Sequence, residues 1–219
     1  HRRLAAGNIS GVWIGRLTRQ REAYLPNNKT HLTRRHAIAA LGMGALSLRA
    51  APAFAKATLG DDGIYHMDWY LESFLDVSED LTGATAKGKR FAIMWGLKGC
   101  PACKRMHEVH MVDPKIEGYI RDNFEILHLN HIGAREVTDF DGRKRSEKAF
   151  GEAYGIRFTP TIQFFPEKAD GLAALKGQAR EVARMPGLLE PIEFLAMFRY
   201  VREKGYESSP FPEWLKRQA

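Results

Sequence analysis

Phe91-Ala92-Ile93-Met94-Trp95 leads into Lys98-Gly99-Cys100-Pro101-Ala102-Cys103-Lys104, and the reading of this stretch decides the fold. The apolar run has strand character, and Pro101 suits the first turn of a following helix, where its missing N–H costs nothing. Cys100 and Cys103 are the chain's two cysteines. They can bond only to each other, to a metal or to another molecule. A C-x-x-C at a strand-to-helix junction makes one sulfur a good nucleophile and the other its resolving partner. A disulfide closing so short a loop removes little chain entropy. Redox turnover is therefore a better reason to hold the pair than stability.

The net charge of +7 over 219 residues suggests a nucleic-acid binder until its distribution is examined. Residues 1–55 hold nine Lys/Arg and one acid, Glu22, leaving 24 of the 33 bases and 25 of the 26 acids for residues 56–219. No clustered basic face with interleaved aromatics remains, and nucleic acid drops out as a partner. The basic stretch is organised as a leader. Thr33-Arg34-Arg35-His36 is a positive segment with a twin arginine, Ala37–Leu48 is mildly apolar, and Ala50-Ala-Pro-Ala-Phe-Ala55 offers an A-x-A cleavage site. The apolar run falls short of the roughly 20 residues a membrane span needs. Its weak hydrophobicity suits twin-arginine export, which places residues 56–219 in a periplasm as one domain. In that oxidising compartment an isolated cysteine pair normally becomes a disulfide.

Hydrophobic spacing then sets out the domain. A helix is expected from Asp68 to Ala86 (Trp69, Tyr70, Phe74, Val77, Leu81), ended by Gly88 and the basic pair Lys89-Arg90. A buried strand follows over Phe91–Leu97, then a helix from Pro101 to Met111, another starting at Asp113-Pro114, and a second strand over Phe124–Asn130. Residues 132–146 read as a charged loop or small hairpin. Ser146–Tyr154 is a short helix stopped by Gly155, Thr159–Phe165 a strand beginning at a proline, Glu181–Met185 a fourth strand, and Leu189–Tyr206 a closing helix. The order is that of a single α/β domain.

These elements resemble the thioredoxin fold: strand, Cys-Pro-Ala-Cys, helix, strand, helix, then Gly155-Ile-Arg-Phe-Thr-Pro160-Thr before a strand. More narrowly, the chain is similar over residues 65–206 to the SoxW-type thioredoxins of bacterial sulfur oxidation. The motifs are Gly99-Cys-Pro-x-Cys-Lys104 with Met106-His107-Glu108, Arg135–Gly142, Arg157-Phe-Thr-Pro-Thr161 and Val182-Ala-Arg-Met-Pro-Gly187. The resemblance implies a central mixed sheet flanked by helices and a cis peptide at Pro160. It also implies a substrate surface at Thr159, Pro101 and Ala102, with no cofactor and no metal. The expected partners are a protein disulfide, such as one on a sulfur-oxidation carrier protein, and a membrane thiol transporter as electron donor; the domain is expected to be a monomer. Two features depart from ordinary thioredoxins: Gly99-Cys-Pro-Ala-Cys103 replaces their Trp-Cys-Gly-Pro-Cys core, and Met94 stands where thioredoxins bury an acid.

The expected chemistry has Cys100 attack a substrate disulfide and Cys103 resolve the mixed disulfide. Cys100, at a helix N-terminus with Lys98 nearby, is the thiolate; Cys103, one turn inward, keeps its proton longer. His107 or Glu108 is the candidate proton acceptor in place of the missing acid. Oxidant or isomerase action uses the same residues. A copper- or zinc-binding carrier is the rival from another class, although Cys-x2-Cys-x3-His-x2-His is too compact for zinc-finger spacing.

Overall fold

The computed structural model describes residues 56–218, so the leader, its twin arginine and its cleavage site lie outside the described residues. β1 (Thr58–Leu59) and β2 (Tyr65–His66) form a short antiparallel hairpin. Then come α1 (Val77–Ala86), β3 (Arg90–Gly96) and α2 (Pro101–Arg105), whose helix continues as a π-helical turn over Met106–His110. α3 (Pro114–Asn123) feeds β4 (Phe124–Asn130). A hairpin of β5 (Glu136–Thr138) and β6 (Lys144–Ser146) precedes α4 (Glu147–Ala153) and β7 (Thr161–Phe164). β8 (Ala183–Pro186), α5 (Pro191–Arg202) and α6 (Phe211–Lys216) complete the domain.

The main sheet has the order β4-β3-β7-β8, with β3 parallel to β4 and the other two pairs antiparallel. The mixed sheet and its covering helices are the expected architecture. β3 is buried along its whole length because both its faces are covered. Ala92 and Met94 point into a core with Ile116 and Ile120 of α3, Phe194 and Phe198 of α5, and Trp214 of α6. Phe91, Ile93 and Trp95 point the other way, against Val77 and Leu81 of α1 and Phe150 of α4. Side-chain caps start the helices. Asp76 accepts from the N–H groups of Ser78 and Glu79, Asp113 from Lys115 and Ile116, and Ser146 from Ala149. Each such cap is worth about 1 kcal/mol.

Three expectations need correction. The helix does not begin at Asp68: Leu75 has a φ of 65° and Asp76 caps α1, so only the second half of that segment is helical. Trp69 and Tyr70 pack edge-on in the preceding loop, while Phe74 is fully exposed. The strand expected from Phe91 begins one residue earlier, at Arg90, which is 1% exposed. Its guanidinium donates to the Phe165 carbonyl and the Tyr206 hydroxyl, both at 3.1 Å, and to Glu167 at 3.2 Å. The closing helix stops at Arg202 rather than Tyr206, since Lys204 turns left-handed (φ 57°), and α6 follows, which the apolar spacing had not suggested.

Candidate active site

β3 ends at Gly96, and the chain turns through Gly99 (φ 75°) so that Cys100 becomes the N-cap of α2, with Pro101 at its first position. Cys100 and Cys103 are joined as a disulfide, their Cα atoms 5.3 Å apart. The Cys103 backbone N–H points at Cys100 Sγ from 3.1 Å. That donor would stabilise a thiolate on Cys100 once the bond is reduced, as charge-assisted hydrogen bonds do. Cys100 is half-buried and Cys103 only 3% exposed, so the two sulfurs are unequal in access.

The Thr159–Pro160 peptide is cis, and the Thr159 carbonyl oxygen lies 3.4 Å from Cys100 Sγ. Pro160 is buried, and its carbonyl accepts from the Gly187 N–H at 2.8 Å. The Met-Pro-Gly segment of the sequence motif thus braces the proline loop from β8. Of the other expected substrate residues, Pro101 is exposed beside Cys100, whereas Ala102 is half-buried. Phe158, which the motif reading passed over, is 62% exposed next to Thr159.

The π-helical turn changes what the helix offers. The Met111 N–H reaches back to the Met106 carbonyl at 2.9 Å, and the widened turn carries both His107 and His110 into the interior, each 0% exposed. His107 Nδ1 lies 2.8 Å from the Cys103 carbonyl, which can only accept, so Nδ1 carries the proton. His107 Nε2 is then an acceptor, and the Tyr70 hydroxyl donates to it at 2.8 Å. Burial lowers the His107 pKa to about 4, and burial raises that of Tyr70 well above the usual tyrosine range. Both ring nitrogens are therefore committed away from Cys103 Sγ; His107 braces the Cys103 backbone instead. Glu108 is exposed and faces Lys104 at 4.0 Å. His110 Nε2 donates to the Leu189 carbonyl at 2.9 Å, tying this turn to the segment after β8.

Met94, in the position of the missing acid, is fully buried with the Tyr70 hydroxyl 3.3 Å from its sulfur. Tyr70 lies between it and His107, and His128 of β4 sits opposite Met94 in the sheet register. The His128 ring packs edge-on against His66 and Tyr70 and tilted against His107, with ring centroids 5.3–5.4 Å apart, and neither of its ring nitrogens has a hydrogen-bond partner. Gly96 makes room for it, since a Cβ there would fall 2.7 Å from His128 Nε2. Nothing in the spacing of the sequence signals this group, because strand pairing and the π-turn assemble it from four separate segments. Among the described residues, no set of three or more His, Cys, Asp or Glu side chains converges with metal-ligand geometry.

A family model described as a thioredoxin-like domain matches residues 77–202, more than half of the chain. The chain belongs to the thioredoxin-like domain family. Among solved structures, this thioredoxin-like domain is similar to a thioredoxin-fold protein from Helicobacter pylori (20% identity, 59% of this chain and 79% of that one, TM-score 0.45). It is also similar to a thioredoxin from Thermus thermophilus (24% identity, 58% and 84%, TM-score 0.45) and to a poplar thioredoxin h mutant (12% identity, 66% and 92%, TM-score 0.36). No curated protein matches it at a significant level. With a cysteine pair in disulfide contact, this thioredoxin-like domain is a thiol–disulfide oxidoreductase.

The buried histidines make stability depend on pH. Burial pushes the His128 pKa well below 6.5, helped by the neighbouring charges of His107, His66 and Arg135. A group whose pKa is lowered by folding takes up protons in the unfolded state first, so stability falls as pH drops below about 6.5. Burial also holds the Asp80 carboxyl up near 6, which acts in the opposite sense. A His128→Leu variant isolates the histidine, since Asp80 is common to both proteins. Between pH 7 and pH 5 the variant should lose about 2 kcal/mol less than its parent in urea unfolding. Parallel pH curves for the two proteins would show that His128 is not held neutral.

Proposed function

We propose that this domain is a periplasmic reductant in which Cys100 attacks the disulfide of a protein partner and Cys103 resolves the intermediate. The observation that carries this reading is the inequality of the two sulfurs. Cys100 reaches solvent with a backbone N–H aimed at its sulfur, whereas Cys103 is buried beneath it. The Thr159 backbone, presented beside Cys100 by Pro160, supports a role in pairing with an extended substrate segment. Pro101 belongs to the same surface. Attack forms the Cys100–substrate bond as the substrate's S–S bond breaks and one thiolate leaves. Attack by Cys103 then closes the Cys100–Cys103 bond and releases the second thiolate.

The finer reading is that the substrate is a cysteine or disulfide on a sulfur-oxidation carrier protein, with a membrane thiol transporter restoring the dithiol. It rests on the motifs shared with SoxW-type thioredoxins and on the leader. The preference for reduction over oxidation rests on modest stabilisation of the Cys100 thiolate. No histidine lies between the cysteines, and one backbone N–H, with Lys98 close in sequence, is the visible source of positive potential. Equilibration with glutathione at graded ratios tests the direction. The potential should lie nearer the roughly −270 mV of thioredoxin than the roughly −120 mV of the strongest periplasmic oxidant. A value above about −160 mV on that scale would overturn the reductant reading in favour of an oxidant.

A further inference from the structure

The β1–β2 hairpin stands against the start of α2. Between them lies a cavity of about 400 Å³ that reaches Cys100. Leu59, Tyr65 and Pro101 supply apolar walls, Gly63 closes one side, and Lys98 and Lys104 bring two ammonium groups. Leu59 is 62% exposed, a large apolar side chain left open beside a reactive sulfur. The Lys98 stem lies along the hairpin, since a Cβ on Gly63 would meet Lys98 Cγ at 2.7 Å. Gly63 also has a φ of 77°, so glycine is what lets the hairpin turn come down over this lysine.

The charges in the groove are unbalanced. Asp62, in the hairpin turn, accepts from the Ile64 N–H and lies 3.1 Å from His66 Nε2, so its carboxylate is engaged within the hairpin. Lys104 faces Glu108 across 4.0 Å, with both side chains about half exposed. Among the described residues no carboxylate lies within ion-pair distance of Lys98. An apolar cleft rimmed by two cations next to a nucleophile fits an acidic, partly apolar segment and disfavours a basic one.

We propose that this groove is the specificity pocket of the domain, taking a substrate segment in which an acidic and an apolar residue flank the cysteine under attack. The proposal rests on the redox reading above and adds the chemical class of the substrate to it. Leu59, Tyr65 and Pro101 hold the apolar side chain, and Lys98 and Lys104 hold the carboxylate. The same two cations also raise the rate of encounter with acidic partners, a contribution that salt removes.

Two synthetic peptides test this, one with Glu and Leu beside its cysteine and one with Lys and Leu, each joined by a disulfide to neutral 4-thiopyridine. Pre-reduced protein attacks the peptide sulfur, thiopyridone leaves and is read by absorbance, and Cys103 then expels the peptide thiol, so no further reductant is needed. Bis(2-hydroxyethyl) disulfide serves as the uncharged control. The Glu peptide should react at least about tenfold faster than the Lys peptide at low salt, and the ratio should shrink as salt rises. In Lys98→Glu/Lys104→Glu the ratio should fall to one or below. Leu59→Ser should slow both peptides alike, independently of salt. If the control is reduced but the two peptides react equally, or the double variant keeps the preference, the pocket assignment is overturned. If neither the control nor either peptide reacts, the redox reading itself fails and the proposal goes with it.

Discussion

Cys103→Ser should accumulate a covalent mixed disulfide with the partner protein, while Cys100→Ser should form none and lose insulin-disulfide reduction by roughly 10³-fold or more. The asymmetry follows from position. Cys100 is the helix N-cap, half-buried, with the Cys103 N–H 3.1 Å from its sulfur. Cys103 lies in the first turn, 3% exposed, and can reach only what Cys100 has already bound. Removing the resolving sulfur stops the cycle after its first half, when the bond between Cys100 and the substrate has formed and nothing can displace it. Removing the nucleophile stops it before any bond forms. Non-reducing electrophoresis of the two variants after incubation with a periplasmic extract reads the difference. A trap on Cys100→Ser instead would reverse the order of attack.

The second large effect belongs to stability. Asp139, in the hairpin loop between β5 and β6, is 3% exposed. One carboxylate oxygen accepts from the Phe140 N–H and the Tyr154 hydroxyl, both at 2.8 Å, and from Arg180; the other accepts from Arg145 at 3.3 Å. Arg180 is itself 2% exposed, bonded also to the Leu172 carbonyl and the Tyr154 hydroxyl at 2.9 Å. Asp139→Ala leaves that guanidinium buried without its main counter-charge, and such a loss typically costs about 3–5 kcal/mol. Replacing both partners with apolar residues, as in Asp139→Leu/Arg180→Met, removes the stranded charge and should recover most of the loss. Denaturant midpoints of the single and double variants provide the test. A loss below about 1 kcal/mol in the single variant would mean that Asp139 is not the main balance for Arg180, whose other guanidinium nitrogen lies 3.4 Å from an Asp141 carboxylate oxygen. None of these groups contacts the cysteines, so disulfide reduction by folded Asp139→Ala should stay close to wild type.

Much of the fold is legible in the sequence because local signals and tertiary packing agree. The continuous apolar run before Cys100 reads as a strand covered on both faces, and β3 is one. Asp113-Pro114 and Ser146 announce helix starts, and their side chains make the caps. The dithiol and the cis-proline segment carry motifs that the structure brings together, the Thr159 carbonyl oxygen lying 3.4 Å from Cys100 Sγ. The misreadings share another cause. Trp69, Tyr70 and Phe74 keep helical spacing, yet a capping aspartate and a left-handed Leu75 decide where the helix begins. Residues 132–146 do form the small hairpin that their turn residues suggest, but the burial of Asp139 within it depends on Arg180, 41 residues further on. A long-range partner of this kind leaves no local trace.

The candidate site divides in the same way. Cys100, Cys103, Pro160 and Thr159 could be read in order along the chain. The role of His107 could not, since it depends on a π-turn that rotates the ring inward and on Tyr70 from a distant loop. His107 therefore holds the Cys103 carbonyl rather than facing its sulfur. The hairpin wall of the groove was equally hidden, being two pairs of residues too short to show a strand pattern.

Differential alkylation of the reduced, folded protein tests the central claim most directly. Iodoacetamide labelling followed by peptide mass spectrometry across pH 5 to 9 reports which sulfur is reactive and where it ionises. Cys100 should label first, with a midpoint below the roughly 8.5 of an unperturbed thiol, and Cys103 should stay unmodified until the protein is unfolded. Equal labelling of both cysteines, or earlier labelling of Cys103, would contradict the assignment of Cys100 as nucleophile and Cys103 as its buried resolving partner.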